Sequence, residues 1–194
     1  MNIDPETFLK LLASFGIGSI PFAVIAMWGS GTDIRDIGSG NPGFNNVLRF
    51  SKKRALISLV GDTGKGFLAV WLFYDPAGFV YLGWLFALGA VWGHCYSPWL
   101  RFNGGKGVAT SAGAMLAIYP GVATAALAFF VVSRLAGSRF GVKERGALAS
   151  LLTWVFFTGL TYAMKGLLHT YYAGLMTVFL MWRHRANIRR MFER

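Results

Sequence analysis

Long apolar runs alternate along this chain with short polar stretches rich in glycine and cations. The runs cover about 8–28, 55–74, 79–97, 108–119, 121–137, 148–163 and 167–183. A helix needs roughly 20 apolar residues to cross a hydrocarbon core, and fewer where part of a site dips inward. The pattern predicts an all-α integral membrane protein with seven transmembrane helices. Asp75-Pro76, Pro120 and Lys165-Gly166 mark tight turns between runs. Joining 108–137 into one helix would give six spans, but Pro120-Gly121 falls in its middle. The first run follows an acidic Asp4 and Glu6 and is succeeded by further spans, so it reads as a retained helix and not a signal peptide.

Composition agrees with this reading. The chain has 194 residues, 55% hydrophobic and only 14% charged, where a soluble domain carries about 25% charged residues. A net charge of +11 could suggest nucleic acid, but the cations lie between apolar runs and form no separate basic face. That placement fits anionic lipid head groups and phosphorylated substrates, and no nucleic-acid partner is expected. If the segments 29–54, 98–107 and 134–147 and the C-terminal tail share one side, they place sixteen of the nineteen lysines and arginines there, Arg194 among them. Lys10 and Lys165 fall on the other side and Lys65 within a span. The positive-inside rule makes the cation-rich side cytoplasmic, with the N-terminus outside and the C-terminus inside. Six spans would scatter these loops across both sides. One membrane-embedded domain over 1–194 is expected. A single cysteine, Cys95, and three scattered histidines point to no disulfide within the chain and no metal site.

Two loops carry the candidate chemistry. The first reads Gly38-Ser39-Gly40-Asn41-Pro42-Gly43, with Asn45, Asn46 and Arg49 after it; the second reads Arg101-Phe102-Asn103-Gly104-Gly105-Lys106-Gly107. Glycine lets backbone N–H groups turn toward a ligand, and adjacent cations suit phosphate. The first loop formally matches G-x-G-x-x-G, yet the polar Thr32-Asp33-Ile34-Arg35-Asp36 precedes it, where a dinucleotide site needs a strand. A plain interhelical link is the alternative, but it would not need Asn41, Asn46 and Arg49 beside the glycines. Lys106 fails the P-loop pattern, because Leu100 and Gly107 stand where Gly and Ser or Thr belong. A lysine among glycines at a helix start still forms a phosphate cradle; the alternative is a topology anchor.

Asp62 and Lys65 lie one turn apart within a span, as a self-neutralising structural pair or as substrate contacts. His94 closes the third run beside Tyr96 and Trp99, as an interfacial histidine or a ligand. His184 and Asn187 share a face if the last helix continues, with Arg189 and Arg190 beyond them as head-group anchors. His169 receives no role.

Gly18-Ser19-Ile20-Pro21-Phe22, the first glycine loop with Asn46-Val47-Leu48-Arg49, Asp62-x-x-Lys65-Gly66, Gly93-His94, Gly104-Gly105-Lys106-Gly107-Val108-Ala109-Thr110 and His184-Arg185-x-Asn187-Ile188 occur in this order. Together they resemble the bacterial acyl-phosphate:glycerol-3-phosphate acyltransferases, the PlsY family, nearly end to end. The resemblance implies a multi-pass bacterial inner-membrane enzyme with its active site facing the cytoplasm. It would transfer a fatty acyl group from acyl phosphate to the 1-hydroxyl of glycerol 3-phosphate, giving lysophosphatidic acid and phosphate without a cofactor. It also implies a functional link to the enzyme that forms acyl phosphate. Residues 99, 174 and 189 are Trp, Gly and Arg, so no His-x4-Asp motif follows His94, His169 or His184, consistent with a donor other than acyl-CoA.

By position, the resemblance assigns catalysis to Ser39, Arg49, Lys106, His184 and Asn187. It assigns substrate binding to Gly40, Asn41, Asn46, Asp62, Lys65, His94, Gly104, Gly105, Gly107 and Thr110. The chain departs from the family at Phe44-Asn45, where Ala-Thr is usual, at Ala147, where a serine is usual, and at Ala186, often a glutamate. A small transporter or channel for organic phosphates is the alternative from another class, favoured by intramembrane Asp62 and Lys65. It would want a midplane site in an inverted repeat, and no repeat is visible. A non-catalytic adaptor would leave the glycine loops without a purpose.

Overall fold

A computed structural model describes residues 4–193; Arg194, counted above on the cation-rich side, lies outside them. All regular structure among the described residues is helical. The α-helices are α1 (Pro5–Ser19), α2 (Phe22–Ala26), α3 (Phe44–Phe50), α4 (Lys52–Trp71), α5 (Val80–Cys95), α6 (Val108–Ile118), α7 (Pro120–Arg139), α8 (Arg145–Lys165), α9 (Leu167–Arg183) and α10 (Arg185–Phe192). Three stretches are long and apolar enough to cross a membrane: Pro5–Ala26, Pro120–Arg139 and Arg145–Lys165. The chain divides into two compact units, Met1–Ile118 and Tyr119–Arg194.

In the first unit the expected span 8–28 is broken. Proline lacks an N–H, and its ring crowds the carbonyl one turn back. So α1 stops at Ser19 and α2 resumes after Pro21, with the Val24 and Ile25 N–H groups donating to the Pro21 carbonyl. Two pairs of helices then pack without room for a side chain. A Cβ on Gly18 of α1 would meet the Ala90 backbone, and one on Gly93 of α5 would meet the Phe15 carbonyl. Likewise Gly66 of α4 abuts the Thr110 carbonyl, and Gly113 of α6 the Thr63 carbonyl. Small residues at helix crossings are how apolar helices approach closely where water supplies no driving force between them. The segment 29–54, expected to be a loop, contains α3 and the first turn of α4. Ser51 caps α4, its hydroxyl accepting from the Arg54 N–H.

In the second unit α8 packs against both α7 and α9. Phe129 and Phe156 stack at 4.4 Å, and the Thr158 and Thr177 hydroxyls meet at 2.8 Å. His169, given no role from sequence, lies 2.8 Å through Nδ1 from the buried Tyr119 hydroxyl. The last helix does not continue through the His184 motif. α9 ends at Arg183, His184 adopts φ −94°, and α10 starts at Arg185.

Candidate active site

The first glycine loop is shaped from beneath by α3. Gly38 and Gly40 have φ of 56° and 67°, a region that side chains disfavour. Asn46 is 2% exposed. Its Nδ2 donates to the Ile34 and Ile37 carbonyls at 2.9 Å each, and its Oδ1 accepts from the Ser39 N–H at 3.1 Å. The amide that sequence assigned to substrate is thus engaged with the loop backbone. Arg49, one helical turn on, is exposed, and its Nη1 would lie 3.1 Å from a Cβ on Gly38. Ser39 and Gly40 are also exposed, while Asn41 is half-buried. At the approach to the loop, hydrogen bonds from Arg35 hold the Asp33 carboxyl below its ordinary pKa.

The second loop is held by backbone. The Gly104 N–H donates to the Cys95 carbonyl at 3.0 Å and the Gly105 N–H to the His94 carbonyl at 3.2 Å. Before them, Arg101 and Phe102 take left-handed φ of 51° and 60°. A Cβ on Gly105 would collide with His94 Nε2 and lie 3.0 Å from the Pro42 carbonyl. The two loops therefore meet where Pro42 touches Gly105. Lys106 is half-buried beside this contact in the chain, Gly107 turns with φ 86°, and Thr110 is fully buried on α6.

Beneath the second loop sits a buried ionic cluster. Lys65 Nζ lies 2.8 Å from Asp62 Oδ1, which is 3.3 Å from His94 Nδ1. Lys65 also donates to the Ile20 carbonyl at 2.6 Å, a carbonyl released from helical bonding by the proline break. Burying charges at this depth is costly unless they are paired and hydrogen-bonded; Lys65 is both, and the Ser58 hydroxyl reaches Asp62 Oδ2 at 3.5 Å. A narrow cleft lined by Pro21, Phe22, Pro42, Lys65, His94 and Gly105 opens over the cluster.

The second unit holds its own constellation. His184 is 3% exposed, and its Nδ1 lies 2.8 Å from the Leu180 carbonyl. A carbonyl only accepts, so Nδ1 carries the hydrogen, leaving Nε2 as the basic nitrogen of the neutral ring. Asn187, 5% exposed, donates through Nδ2 to Glu144 Oε2 at 2.7 Å. Arg190 donates through Nε to Glu144 Oε1 at 2.6 Å. Arg190, expected to be a head-group anchor, is thus tied to a carboxylate that grips a site residue. Sequence reasoning missed Glu144 entirely, because Lys-Glu-Arg entering a helix looks like any solvated charge run. Among the described residues no group of three or more His, Cys, Asp or Glu side chains is placed to hold a metal ion.

The site can thus offer an exposed guanidinium, a half-buried ammonium and the Ser39 hydroxyl to phosphate groups, while the Ser39, Gly40, Gly104 and Gly105 N–H groups already bond acceptors of the protein. Comparison with known proteins agrees with that chemistry. The family model described as glycerol-3-phosphate acyltransferase matches residues 8–194. Curated proteins named glycerol-3-phosphate acyltransferase include one from Burkholderia orbicola strain MC0-3, 40% identical over 96% of this chain and 89% of its own length. Another, from Methylobacillus flagellatus, is 38% identical over 94% and 92%. Crystal structures of PlsY, an integral membrane glycerol 3-phosphate acyltransferase, superpose at 26% identity. The glycerol 3-phosphate form has a TM-score of 0.84 and covers 96% of this chain and 92% of that one. The lysophosphatidic acid form gives 0.82, covering 96% and 91%.

Proposed function

The chain belongs to the glycerol-3-phosphate acyltransferase family, and from that premise we propose that it transfers a fatty acyl group from acyl phosphate to the 1-hydroxyl of glycerol 3-phosphate. The products are lysophosphatidic acid and phosphate, the first acylation step of phospholipid synthesis. The observation that carries this reading is the meeting of two cation-bearing glycine loops at Pro42 and Gly105. Each reactant carries one phosphate, and each loop supplies a cation, Arg49 in one case and Lys106 in the other.

In the reaction, the glycerol hydroxyl oxygen bonds to the acyl carbonyl carbon. The bond from that carbon to the phosphate oxygen breaks, and the hydroxyl proton passes to the departing phosphate. No nucleophilic side chain is consumed. Lys106, the Ser39 hydroxyl and the Gly107 amide hold phosphate beside the backbone-bonded turn of Gly104 and Gly105, and Arg49 offsets the charge that develops on the leaving group. His184 and Asn187 position glycerol 3-phosphate. Gly40 and Asn41 shape the substrate surface, while Thr110, buried on α6, together with Asn46, Asp62, Lys65 and His94 holds the loops in place. Orientation and charge stabilisation then supply most of the rate.

The proposed setting is a bacterial inner membrane, with seven spans in one acyltransferase domain over 1–194, the N-terminus outside and the site on the cytoplasmic face. Acyl phosphate arrives from a membrane-associated enzyme that forms it. Proteoliposomes given acyl phosphate and radiolabelled glycerol 3-phosphate test the reaction: labelled lysophosphatidate is expected. Equal turnover with acyl-CoA would overturn the donor, and uptake of label without product would select a transporter. Impermeant thiol labelling of a cysteine at position 4 from outside, and at position 192 only after permeabilisation, tests the orientation.

A further inference from the structure

We propose that Glu144 is a positioning residue for this reaction: its carboxylate locks the amide of Asn187 so that the carbonyl end accepts from a hydroxyl of the glycerol substrate. The inference rests on the acyl-transfer reading above and adds to it a residue that no motif contains.

An asparagine amide has a donor end and an acceptor end of nearly equal shape, and its neighbours decide which end faces where. An ionised carboxylate only accepts. With Glu144 Oε2 2.7 Å from the Asn187 side chain, the atom facing it is the NH2 group, and the amide oxygen is the end turned away from the carboxylate. The carboxylate is itself held, because Arg190 Nε donates to its second oxygen at 2.6 Å. The result is a chain of fixed polarity, guanidinium to carboxylate to amide. Asn187 is 5% exposed and the Glu144 side chain 20% exposed, so little water competes for the bond between them, while Arg190 reaches Glu144 from the exposed side.

The backbone points the same way. Glu144 stands at the N-terminus of α8 with φ 53° and ψ 28°, and its side chain makes no capping bond to the helix. Its carbonyl opens α8 by accepting from the Ala147 and Leu148 N–H groups, a backbone role that glycine or asparagine would fill at much lower conformational cost. Strain of this kind persists where surrounding contacts over-determine it. Here those contacts are the ones to Asn187 and Arg190.

The test uses the full-length protein in proteoliposomes, with initial rates taken against each substrate and thermal unfolding followed alongside. Glu144→Gly suits the left-handed backbone and removes the carboxylate with its two methylenes. It should unfold within a few degrees of wild type while its KM for glycerol 3-phosphate rises about tenfold or more, as expected for losing a charge-assisted bond. Its KM for acyl phosphate should stay within about twofold. Glu144→Gln keeps the shape but carries one donor end, which must oppose either Arg190 or Asn187, so it should not restore the KM. The double variant Glu144→Gly/Asn187→Ala should be no worse than Asn187→Ala alone, because the carboxylate acts through the amide. Unchanged KM values in Glu144→Gly, or effects of the two single variants that multiply in the double, would overturn the role. A wild-type protein that makes no lysophosphatidate would overturn the acyl-transfer reading and this role with it, whereas an active wild type with independent Glu144 and Asn187 overturns the role alone.

Discussion

The two glycine loops look alike in sequence, yet they are held by different means. The first hangs on one side chain: Asn46 reaches up from α3 and bonds Ile34, Ile37 and Ser39. The second is fastened by its own backbone, through the Gly104 and Gly105 N–H groups on the end of α5. It rests on the Asp62–Lys65–His94 cluster. A side-chain tie is removed by one substitution, whereas a backbone tie can only be disturbed through what supports it. The first loop should therefore fail locally, and the second with the stability of its unit.

The largest expected effect probes the support of the second loop. Lys65→Met leaves the Asp62 carboxylate buried without its ammonium and should cost about 3–5 kcal/mol of stability. Lys65→Met/Asp62→Asn should recover most of it, since replacing both partners leaves no unpaired charge. Thermal unfolding in detergent reads both variants. A single variant as stable as wild type would show that the cluster does not hold the loop.

Next comes the cation of that loop. Lys106→Ala should lower kcat/KM by about 30- to 1000-fold, or roughly 2–4 kcal/mol at the transition state. Lys106→Arg should restore little, because a planar fork does not replace a compact ammonium. The control is Arg189→Ala, which removes one charge from an exposed pair with Glu193. Arg190 is unsuitable as a control, since it holds Glu144. Equal losses in folded Lys106→Ala and Arg189→Ala would make Lys106 a mere anchor.

The smallest effect probes the first loop. Asn46→Ala removes three hydrogen bonds from a loop that can partly rehydrate, so about 1–3 kcal/mol is expected. The loss should appear mainly as a higher KM for one phosphorylated substrate. Asn46→Asp should be worse than Asn46→Ala, because a carboxylate would face the Ile34 and Ile37 carbonyls. If Asp proved as good as Asn, the amide would not be bonded to those carbonyls.

Much of the architecture was legible in the sequence because it depends on short-range regularities. Helices fall on all seven apolar runs, and α9 begins and ends where hydropathy places it, at Leu167 and Arg183. The break at Pro21 went unseen because a proline inside an apolar run changes hydropathy little while removing a hydrogen-bond donor. The short α3 was missed for the opposite reason: Phe44–Phe50 is too polar to stand out as a span and too short for a clear helical period.

The family, the helical class, the two cation-bearing glycine loops and the six ordered motifs reside in residue type and spacing, and so could be read along the chain. What each polar atom touches came from packing alone. It brought Pro42 to Gly105 across 63 residues of chain. It tied the Asn46 amide to the loop backbone and set Lys65 on the Ile20 carbonyl at the proline break. It paired Glu144 with Asn187 across a helix hairpin. The reason is physical: a hydrogen bond depends on distance and angle between two atoms, and residues far apart in the chain acquire both only when helices pack.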